Sequence, residues 1–237
     1  EKCGTHSRYE DVVKLERAGE VKRVHLEDAV LETRTVIFST GSAYRKLGLE
    51  EEDKYSGHGV SYCATCDGFF FRDQDIIVVG GGDSAMEEAT FLTTFAKSVT
   101  VVHRRDELRA SAAMAKRALE NPKINFAWNS RVSALHGEGA LESVTLTDTV
   151  TGQTRELEAT GLFVAIGSSP RSELVRDQLE LDAAGYVVVS HPSTRTNVPG
   201  VFACGDVADP TYRQAITAAA SGTRAALDAQ HYLAELN

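Results

Sequence analysis

A run of three glycines directly after a short apolar strand constrains this chain more than any other feature. The strand is Ile76 to Val79, and Gly80-Gly81-Gly82 follows it. A helical pattern then runs from about Ser84 to Phe95, and Val99 to Val102 reads as the next strand. Parallel strands joined by a helix make a right-handed βαβ unit of an α/β sheet. The sequence therefore predicts an α/β fold.

The glycine run and the residues after it fit the pattern G-x-G-x-x-A of a dinucleotide-binding turn. The first glycine permits a tight turn, the second lets the backbone approach a pyrophosphate, and the small third residue allows close packing of helix on strand. The N-terminus of the helix offers unpaired N–H groups to the phosphates. We expect cofactor contacts at Gly80, Gly82, Asp83, Ser84 and Ala85.

The end of the second strand distinguishes between the two nicotinamide cofactors. A site for NAD places Asp or Glu there, whereas this chain has His103, Arg104 and Arg105, with Arg109 one turn further on. Guanidinium groups suit a 2′-phosphate, which a carboxylate would repel. Such a run is more often a solvated basic face, but here it stands where the turn predicts it, in a chain of net charge −9. The cluster favours NADPH.

The charge balance excludes several classes of partner. The chain of 237 residues has 25 Lys and Arg against 34 Asp and Glu, so it would repel nucleic acids and anionic membranes. Its longest apolar stretches, such as Leu162 to Ile166, are far too short to cross a bilayer. Because no export signal is recognisable, we expect a cytoplasmic protein without nucleic-acid or membrane partners.

Two of the four cysteines stand close together, since Cys63 and Cys66 form a C-x-x-C motif with Asp67 directly after it. In a reducing cytoplasm such a pair is typical of a redox-active dithiol or of half a metal site. A zinc site lacks two obvious ligands, so we predict no metal, and two inert buried thiols are the plain alternative. The two-residue spacing allows a small reducible ring, which favours redox chemistry. Asp67 is either a turn residue or a carboxyl that exchanges a proton with a departing thiolate.

Several segments together resemble the bacterial low-molecular-weight thioredoxin reductases. They read CATCDGFFFRDQDIIVVGGGDSAMEEATF, HRRDELRAS, LFVAIGSSPR and VFACGDVADPTYRQAI, in the order and spacing of the family. The first is the most specific, because CATCDG before a nucleotide fingerprint separates this family from its relatives. The resemblance implies an oxidoreductase that passes electrons from NADPH through FAD and a Cys63–Cys66 disulfide to oxidised thioredoxin, with Asp67 as the acid/base.

The same resemblance implies a domain organisation and an FAD site. It indicates two Rossmann-like domains, with the central NADPH domain inserted into an incomplete FAD domain, and a homodimer. We place the FAD domain at residues 1–44 and 161–237, and the NADPH domain with the cysteine pair at residues 45–160. The FAD contacts implied are Thr40, Gly41, Gly205, Asp206, Arg213, Gln214 and Ala215.

The order of these parts also predicts a motion. The cysteines and the glycine turn share one domain, and both the nicotinamide and the disulfide must meet one flavin. That domain must therefore rotate, and we predict hinges at Tyr44 to Leu47 and at Glu158 to Leu162.

The chain departs from the family pattern in a few places. Members open with an FAD-binding strand and a G-x-G-x-x-G turn, none of which precedes Glu1, so we expect a fragment or a longer native chain. Cys204 stands where Ala is usual, and Ser168 where His is common. Two other functions stay open: a related NADPH-dependent flavin reductase, which needs no cysteine pair, and a non-catalytic NADPH-binding fragment.

Overall fold

The computed structural model describes residues 4–236 and shows an α/β architecture with parallel sheets. The chain divides into two compact units, one of residues 1–43 with 169–237 and one of residues 44–168. Single 3-10 turns lie at Gly68–Phe71, Glu173–Val175 and Gly205–Val207. The helices are α1 (Glu52–Tyr55), α2 (Ala64–Asp67), α3 (Asp83–Leu92), α4 (Ala112–Leu119) and α5 (Ala215–Glu235). The strands are β1 (Val12–Ala18), β2 (Val21–Leu26), β3 (Val30–Thr33), β4 (Val36–Phe38), β5 (Ser42–Tyr44), β6 (Val60–Ser61), β7 (Asp75–Val79), β8 (Ser98–Val102), β9 (Ile124–Ala127), β10 (Ser130–His136), β11 (Ser143–Asp148), β12 (Thr154–Glu158), β13 (Gly161–Val164), β14 (Ser168–Pro170) and β15 (Val201–Ala203).

The unit of residues 44–168 is built on a five-stranded parallel sheet in the order β6-β13-β7-β8-β9. On one face, Met86 and Leu92 of α3 are fully buried against Val99 and Val101 of the sheet. The antiparallel sheet β10-β11-β12 covers the other face. Because both faces are covered, the central strands are continuous apolar, β-branched runs. The predicted βαβ unit is confirmed, with β7 and β8 parallel on either side of α3 in the chain.

The sequence pattern of residues 106–120, which Asn121-Pro122 ends, predicts a helix over that range, but the helix begins only at Ala112. The residues before it fold over the glycine turn, where the backbone N–H groups of Arg109 and Ala110 donate to the Gly81 carbonyl at 2.7 and 3.1 Å. These bonds satisfy backbone groups that a longer helix would otherwise pair within itself. For this reason the sequence pattern predicts a helix that is longer than the one observed.

The unit of residues 1–43 and 169–237 contains the antiparallel sheet β1-β2-β3, the parallel pair β4-β15 and the long helix α5. Residues 10–27 alternate loosely and break at Ala18-Gly19, which predicts a hairpin. The hairpin is confirmed, since Ala18 pairs with Val21 across a turn in which Gly19 has a φ of +68°. Phe38 of β4 packs with apolar residues from both parts of the unit. Two segments that are far apart in sequence therefore share one core.

The second predicted domain boundary, after residue 160, is wrong. β13 pairs in parallel with β6 on one side and with β7 on the other, so it is an inner strand of the five-stranded sheet. The chain leaves that unit only after Ser168. The predicted hinge at Glu158 to Leu162 falls at the end of β12 and inside β13, where rotation would break the sheet. The polar run Ser168-Ser169-Pro170, whose composition predicts a turn, is strand β14 and pairs with β5.

Candidate active site

The first glycine of the turn is required by packing. Gly80 has a φ of +153°, and a Cβ atom there would lie 2.5 Å from the Ala165 carbonyl oxygen and 2.6 Å from the Ala85 Cβ. A side chain would therefore push α3 away from the sheet. The small Ala85, which is fully buried, lets the helix begin this close to the strand.

His103 lies beneath the turn rather than among the exposed side chains. Its ring is 4% exposed and packs on Gly81, where a Cβ atom would come within 2.2 Å of it. Its Nε2–H donates to the Glu107 carbonyl at 2.9 Å. Burial lowers the pKa of His103 below its ordinary value, and the neighbouring arginines lower it further, against that backbone bond. The imidazole of His103 is therefore neutral at pH 7, and its ring packs against the backbone of Gly81.

The second glycine of the G-x-G pattern borders open space. Gly82 is the N-cap of α3, and a Cβ atom there would have no other atom within 4 Å. No side chain caps the helix, so the N–H groups of its first turn have no intrahelical or capping partner. Asp83 is engaged elsewhere, since its Oδ1 accepts the Ser111 N–H at 2.7 Å. This arrangement fits a pyrophosphate bound at the start of the helix.

Three exposed arginines lie in the segment that follows His103, next to this turn. Arg104, Arg105 and Arg109 are exposed, and within residues 4–236 their guanidinium groups make no hydrogen bond or ion pair. Their backbone is held in place: Asn129 N–H donates to the Arg105 carbonyl and Thr149 Oγ1 to the Arg104 carbonyl, both at 3.1 Å. The donor set fits a phosphate dianion.

The cysteine pair lies at the start of the short helix α2. Cys63 and Cys66 form a disulfide, as the resemblance implied, with their Cα atoms 5.3 Å apart. Cys66 is exposed and Cys63 is half-buried. The backbone N–H groups of Cys66 and Asp67 both donate to the Cys63 carbonyl, at 3.2 and 3.1 Å. The motif is therefore a compact turn that presents one of its two cysteines to solvent.

Asp67 is held by a residue that the sequence did not single out. Ser61, at the end of β6, is 4% exposed, and its Oγ–H donates to Asp67 Oδ2 at 2.7 Å. The same Oγ accepts the Cys63 N–H at 3.1 Å. Serine is common in loops and at strand ends, so only its closeness to the motif could have drawn attention to it.

A buried carboxylate holds the segment before the motif in place. The polar, glycine-containing composition of residues 43–60 by itself predicts only a connector. Glu52 is 1% exposed and accepts the N–H groups of Leu47 and Gly48 at 3.0 and 2.9 Å. It also accepts the hydroxyl of Tyr62 at 2.9 Å, and Tyr62 stacks on Tyr44. Burial and this carboxylate raise the pKa of Tyr62 above its usual range, so the hydroxyl keeps its proton. These contacts with Glu52 and Tyr44 hold Tyr62, the residue directly before Cys63, in place.

The residues implied for FAD lie at one edge of the other unit. Thr40 and Gly41 follow β4, and Gly205 and Asp206 follow the parallel β15, so both pairs stand at the carboxyl ends of these strands. The Cys204 N–H donates to the Phe38 carbonyl between them at 3.1 Å. The Asp206 carboxylate makes no hydrogen bond within residues 4–236, and a Cβ atom at Gly41 would meet nothing within 4 Å. These features fit a bound dinucleotide.

Asp209 fastens the loop that leads into α5. Its carboxylate accepts the backbone N–H groups of Thr211, Tyr212 and Arg213 at 2.9 to 3.0 Å. Gln214 is the N-cap of α5, so the helix begins at Ala215. Ser221 of α5 accepts the Gly205 N–H at 2.9 Å, which ties the helix to the end of β15.

Two negative findings concern the part of the chain that the structure describes. Between residues 4 and 236, no three His, Cys, Asp or Glu side chains come together in a way that would hold a metal ion. None of the helices in that range has the length and apolar character needed to span a bilayer.

Known proteins share both the sequence and the fold. Residues 4–222 match the family model of the pyridine nucleotide-disulphide oxidoreductases. The thioredoxin reductase of Streptomyces clavuligerus is 62% identical over 237 residues, which are 100% of this chain and 74% of that protein. The chain belongs to the thioredoxin reductase family. Within that family, the thioredoxin reductase of Mycolicibacterium smegmatis is 57% identical over 96% of this chain and 73% of its own.

Solved structures of thioredoxin reductases support the fold. That of Streptococcus pyogenes MGAS5005 is 45% identical and has a TM-score of 0.90 over 95% of this chain and 74% of its own. That of Giardia duodenalis is 40% identical, with a TM-score of 0.92 over 98% of this chain and 77% of its own. The predicted fold class, and the family that carries it, are confirmed.

Proposed function

We propose that this chain reduces a protein disulfide, passing electrons from NADPH through FAD and the Cys63–Cys66 disulfide to oxidised thioredoxin. The observation that carries the proposal is a C-x-x-C disulfide with Cys66 exposed, in the same unit as a turn that fits a dinucleotide, in a member of the thioredoxin reductase family. The bound cofactors supply the two-electron chemistry. The chain's own residues bind them, and they carry out the disulfide exchange.

The unit of residues 44–168 would hold NADPH. The first turn of α3, from Gly82 to Ala85, offers its backbone N–H groups to the pyrophosphate. Arg104, Arg105 and Arg109 would bind the 2′-phosphate, because their guanidinium groups are exposed and have no carboxylate partner within residues 4–236. Only NADPH carries this 2′-phosphate dianion, so the three guanidinium groups favour NADPH over NADH.

The other unit would hold FAD. Thr40, Gly41, Gly205 and Asp206 stand at the carboxyl ends of β4 and β15, where open α/β sheets bind nucleotides. The range from Arg213 to Ala215 leads into the N-terminus of α5, whose partial positive charge favours an anionic group nearby.

The exchange step needs only the cysteine pair and Asp67. One thiolate of the reduced pair attacks a sulfur of the partner disulfide, which forms a mixed disulfide and expels one partner thiolate. The second thiolate then attacks the enzyme sulfur of that bond, restores the Cys63–Cys66 disulfide and expels the second partner thiolate. The first attacking group is already a thiolate, and Asp67 gives its proton to the first departing partner thiolate. Asp67 then takes the proton of the second enzyme thiol as that thiol attacks, and gives it to the second departing thiolate, so atoms and charge balance.

An exposed aromatic patch beside the pair suits a protein partner. Phe69 and Phe70 follow the motif and are 60% and 72% exposed. Phe69 contacts Phe95 edge to face, and the Arg72 guanidinium lies 5.1 Å from its ring. Exposed aromatic side chains next to a reactive group favour docking of a protein over a small disulfide.

A homodimer, which the resemblance implies, belongs to the same proposal, and sedimentation analysis tests it.

The proposal is tested by NADPH-dependent reduction of oxidised thioredoxin with the FAD-reconstituted chain. We expect turnover with NADPH, much less with NADH, and a loss of about a hundredfold or more in Cys66→Ser, because a single thiol cannot release the mixed disulfide. Cys204→Ala is the matched control, since Cys204 is a buried free cysteine outside the pair. Activity that survives in Cys66→Ser would instead indicate a related flavin reductase. NADPH binding without any disulfide reduction would indicate a nucleotide-binding module only.

A second arm tests the partner. Phe70→Ser should raise KM for thioredoxin by about tenfold and leave the rate with a small aromatic disulfide unchanged, because only a protein covers the patch. Equal rates of the variant and the unmodified chain with thioredoxin would remove the patch from the proposal.

A further inference from the structure

We propose that Ser61 is a positioning residue for disulfide exchange: its hydroxyl holds one oxygen of Asp67 and leaves the other oxygen to exchange the proton. The inference rests on the proposed role of Asp67 as the acid/base, and it adds a residue that the motif itself does not contain.

The geometry determines where the hydroxyl hydrogen of Ser61 goes. Two acceptors are within reach, Asp67 Oδ2 at 2.7 Å and the Cys63 carbonyl at 3.5 Å. A carboxylate oxygen at the shorter distance is the stronger acceptor, so the hydrogen points to Asp67. The Cys63 N–H donates to the Ser61 oxygen at 3.1 Å and so takes up one of its lone pairs. The result is a directed chain of hydrogen bonds from the Cys63 backbone to the Asp67 carboxylate.

The surroundings make Ser61 a rigid anchor. Ser61 is 4% exposed and pairs with Phe163 of β13 in the five-stranded sheet. Asp67, by contrast, is half-buried at the end of the short helix α2. A buried hydroxyl on a sheet strand therefore fixes a carboxylate that its own four-residue helix holds only weakly.

This anchor assigns different tasks to the two carboxylate oxygens. Oδ2 accepts from Ser61, whereas Oδ1 makes no hydrogen bond with any residue between 4 and 236. The proton that passes between the carboxyl and a thiol is therefore carried on Oδ1. Without Ser61 the carboxylate rotates about its side-chain bonds, and the correct oxygen faces the sulfur for a smaller fraction of the time.

The test isolates the exchange step from NADPH and FAD. The full chain is reduced with dithiothreitol, freed of the reductant, and mixed with one of two disulfides in a stopped-flow instrument. Hydroxyethyl disulfide releases an aliphatic thiolate that needs a proton, whereas dithiobisnitrobenzoate releases an acidic aromatic thiolate that does not. A proton donor therefore matters for the first disulfide and hardly for the second.

We expect Ser61→Ala to react about tenfold more slowly with hydroxyethyl disulfide and within about twofold of the unmodified chain with dithiobisnitrobenzoate. Asp67→Asn should lose about a hundredfold with the aliphatic disulfide, and adding Ser61→Ala to it should change little more. Ser61→Thr, which keeps the hydroxyl, should restore most of the rate. Ser143→Ala is the matched control, because Ser143 is a buried serine that donates to Glu156 in the hairpin sheet of the same unit.

Three outcomes would overturn the proposal. Equal slowing with both disulfides would mean that Ser61→Ala only disturbs the fold. Additive losses in the double variant would mean that the serine does not act through Asp67. An unaffected Asp67→Asn chain would remove the acid/base role on which the inference depends. Failure of NADPH-driven turnover in a chain that passes the exchange test would reject the proposed function and leave the role of Ser61 standing.

Discussion

At the scale of single residues, His103 was predicted as a cofactor contact, and the structure shows its ring buried against the glycine turn. Its ring fills the space that Gly81 leaves open, and its Nε2–H satisfies the Glu107 carbonyl. The backbone of Arg109 closes over the same glycine. One buried imidazole therefore contacts both the glycine turn and the loop that carries the arginines.

This arrangement predicts a pH dependence of stability. Because the pKa of His103 is lowered from 6.5 by burial, the unfolded chain takes up a proton below pH 6.5 that the folded chain does not yet bind. The free energy of unfolding should therefore fall as the pH drops from 6.5 to the folded-state pKa, and this contribution should then level off. His103→Phe should lose about 1 kcal/mol at neutral pH, because its bond to Glu107 is gone, and should show a shallower decline in acid.

Urea unfolding at several pH values between about 7.5 and 5 measures both effects. His136→Gln is the matched control, because it replaces a histidine that is exposed rather than buried. If His103→Phe keeps the full slope of the unmodified chain, the buried imidazole is not the group responsible.

At the scale of elements, Gly80 and Gly82 at the start of α3 differ in the space around them. Gly80 has no room for a side chain, because the Ala165 carbonyl and the Ala85 methyl group already occupy that space. Gly82, two residues later, has an ordinary negative φ of −98° and open space around it. The packing of the fold requires the first glycine, whereas the open space at the second fits the proposed pyrophosphate site.

Two single substitutions separate these tasks. Gly80→Ala should destabilise the chain by about 3 kcal/mol, because its Cβ meets atoms that cannot move easily. Gly82→Ala should cost no more than about 1 kcal/mol of stability, yet weaken NADPH binding by about tenfold, because the methyl group occupies the space for the pyrophosphate. Thermal unfolding and calorimetric titration with NADPH measure the two quantities on each variant. Tight NADPH binding by Gly82→Ala would contradict the assigned site.

At the scale of the whole molecule, the two units are built differently from the chain. Residues 44–168 are one continuous segment that contains the five-stranded sheet, its helices and the covering hairpin sheet. The other unit joins residues 1–43 to residues 169–237, so its core exists only when two distant segments meet. The continuous unit also contains the cysteine pair, Ser61 and the arginine cluster.

The continuous unit should therefore fold alone. A chain of residues 44–168 should unfold cooperatively and bind NADPH with a Kd within about threefold of the full chain, because its core and its turn lie inside the segment. Circular dichroism with urea and calorimetric titration test this, with the full chain measured in parallel. A molten or aggregated segment would show that the second unit is needed to complete its core.

The chain crosses between the two units at Ala43–Tyr44 and at Ser168–Ser169. The predicted hinge at Tyr44 to Leu47 adjoins the first crossing and stays a prediction, whereas the predicted hinge at Glu158 to Leu162 lies inside the unit of residues 44–168. The sequence pattern missed this because Gly161–Val164 is a buried apolar strand whichever sheet it joins. Its pairing with Asp75–Val79 depends on residues far away in the chain.

The sequence by itself determined the features whose residues are neighbours in the chain. The glycine turn after Asp75–Val79, the arginines after β8 and the C-x-x-C motif are recognised from the spacing of neighbouring residues, which the sequence alone displays. The disulfide between Cys63 and Cys66 was implied by the family resemblance, since the spacing by itself left other uses of the two thiols open. Only the tertiary structure decided the contact of Ser61 with Asp67, the burial of His103 under Gly81 and the sheet that β13 joins. Those contacts arise because packing brings together backbone and side-chain groups that must find hydrogen-bond partners once water is excluded, and no sequence pattern names the partner in advance.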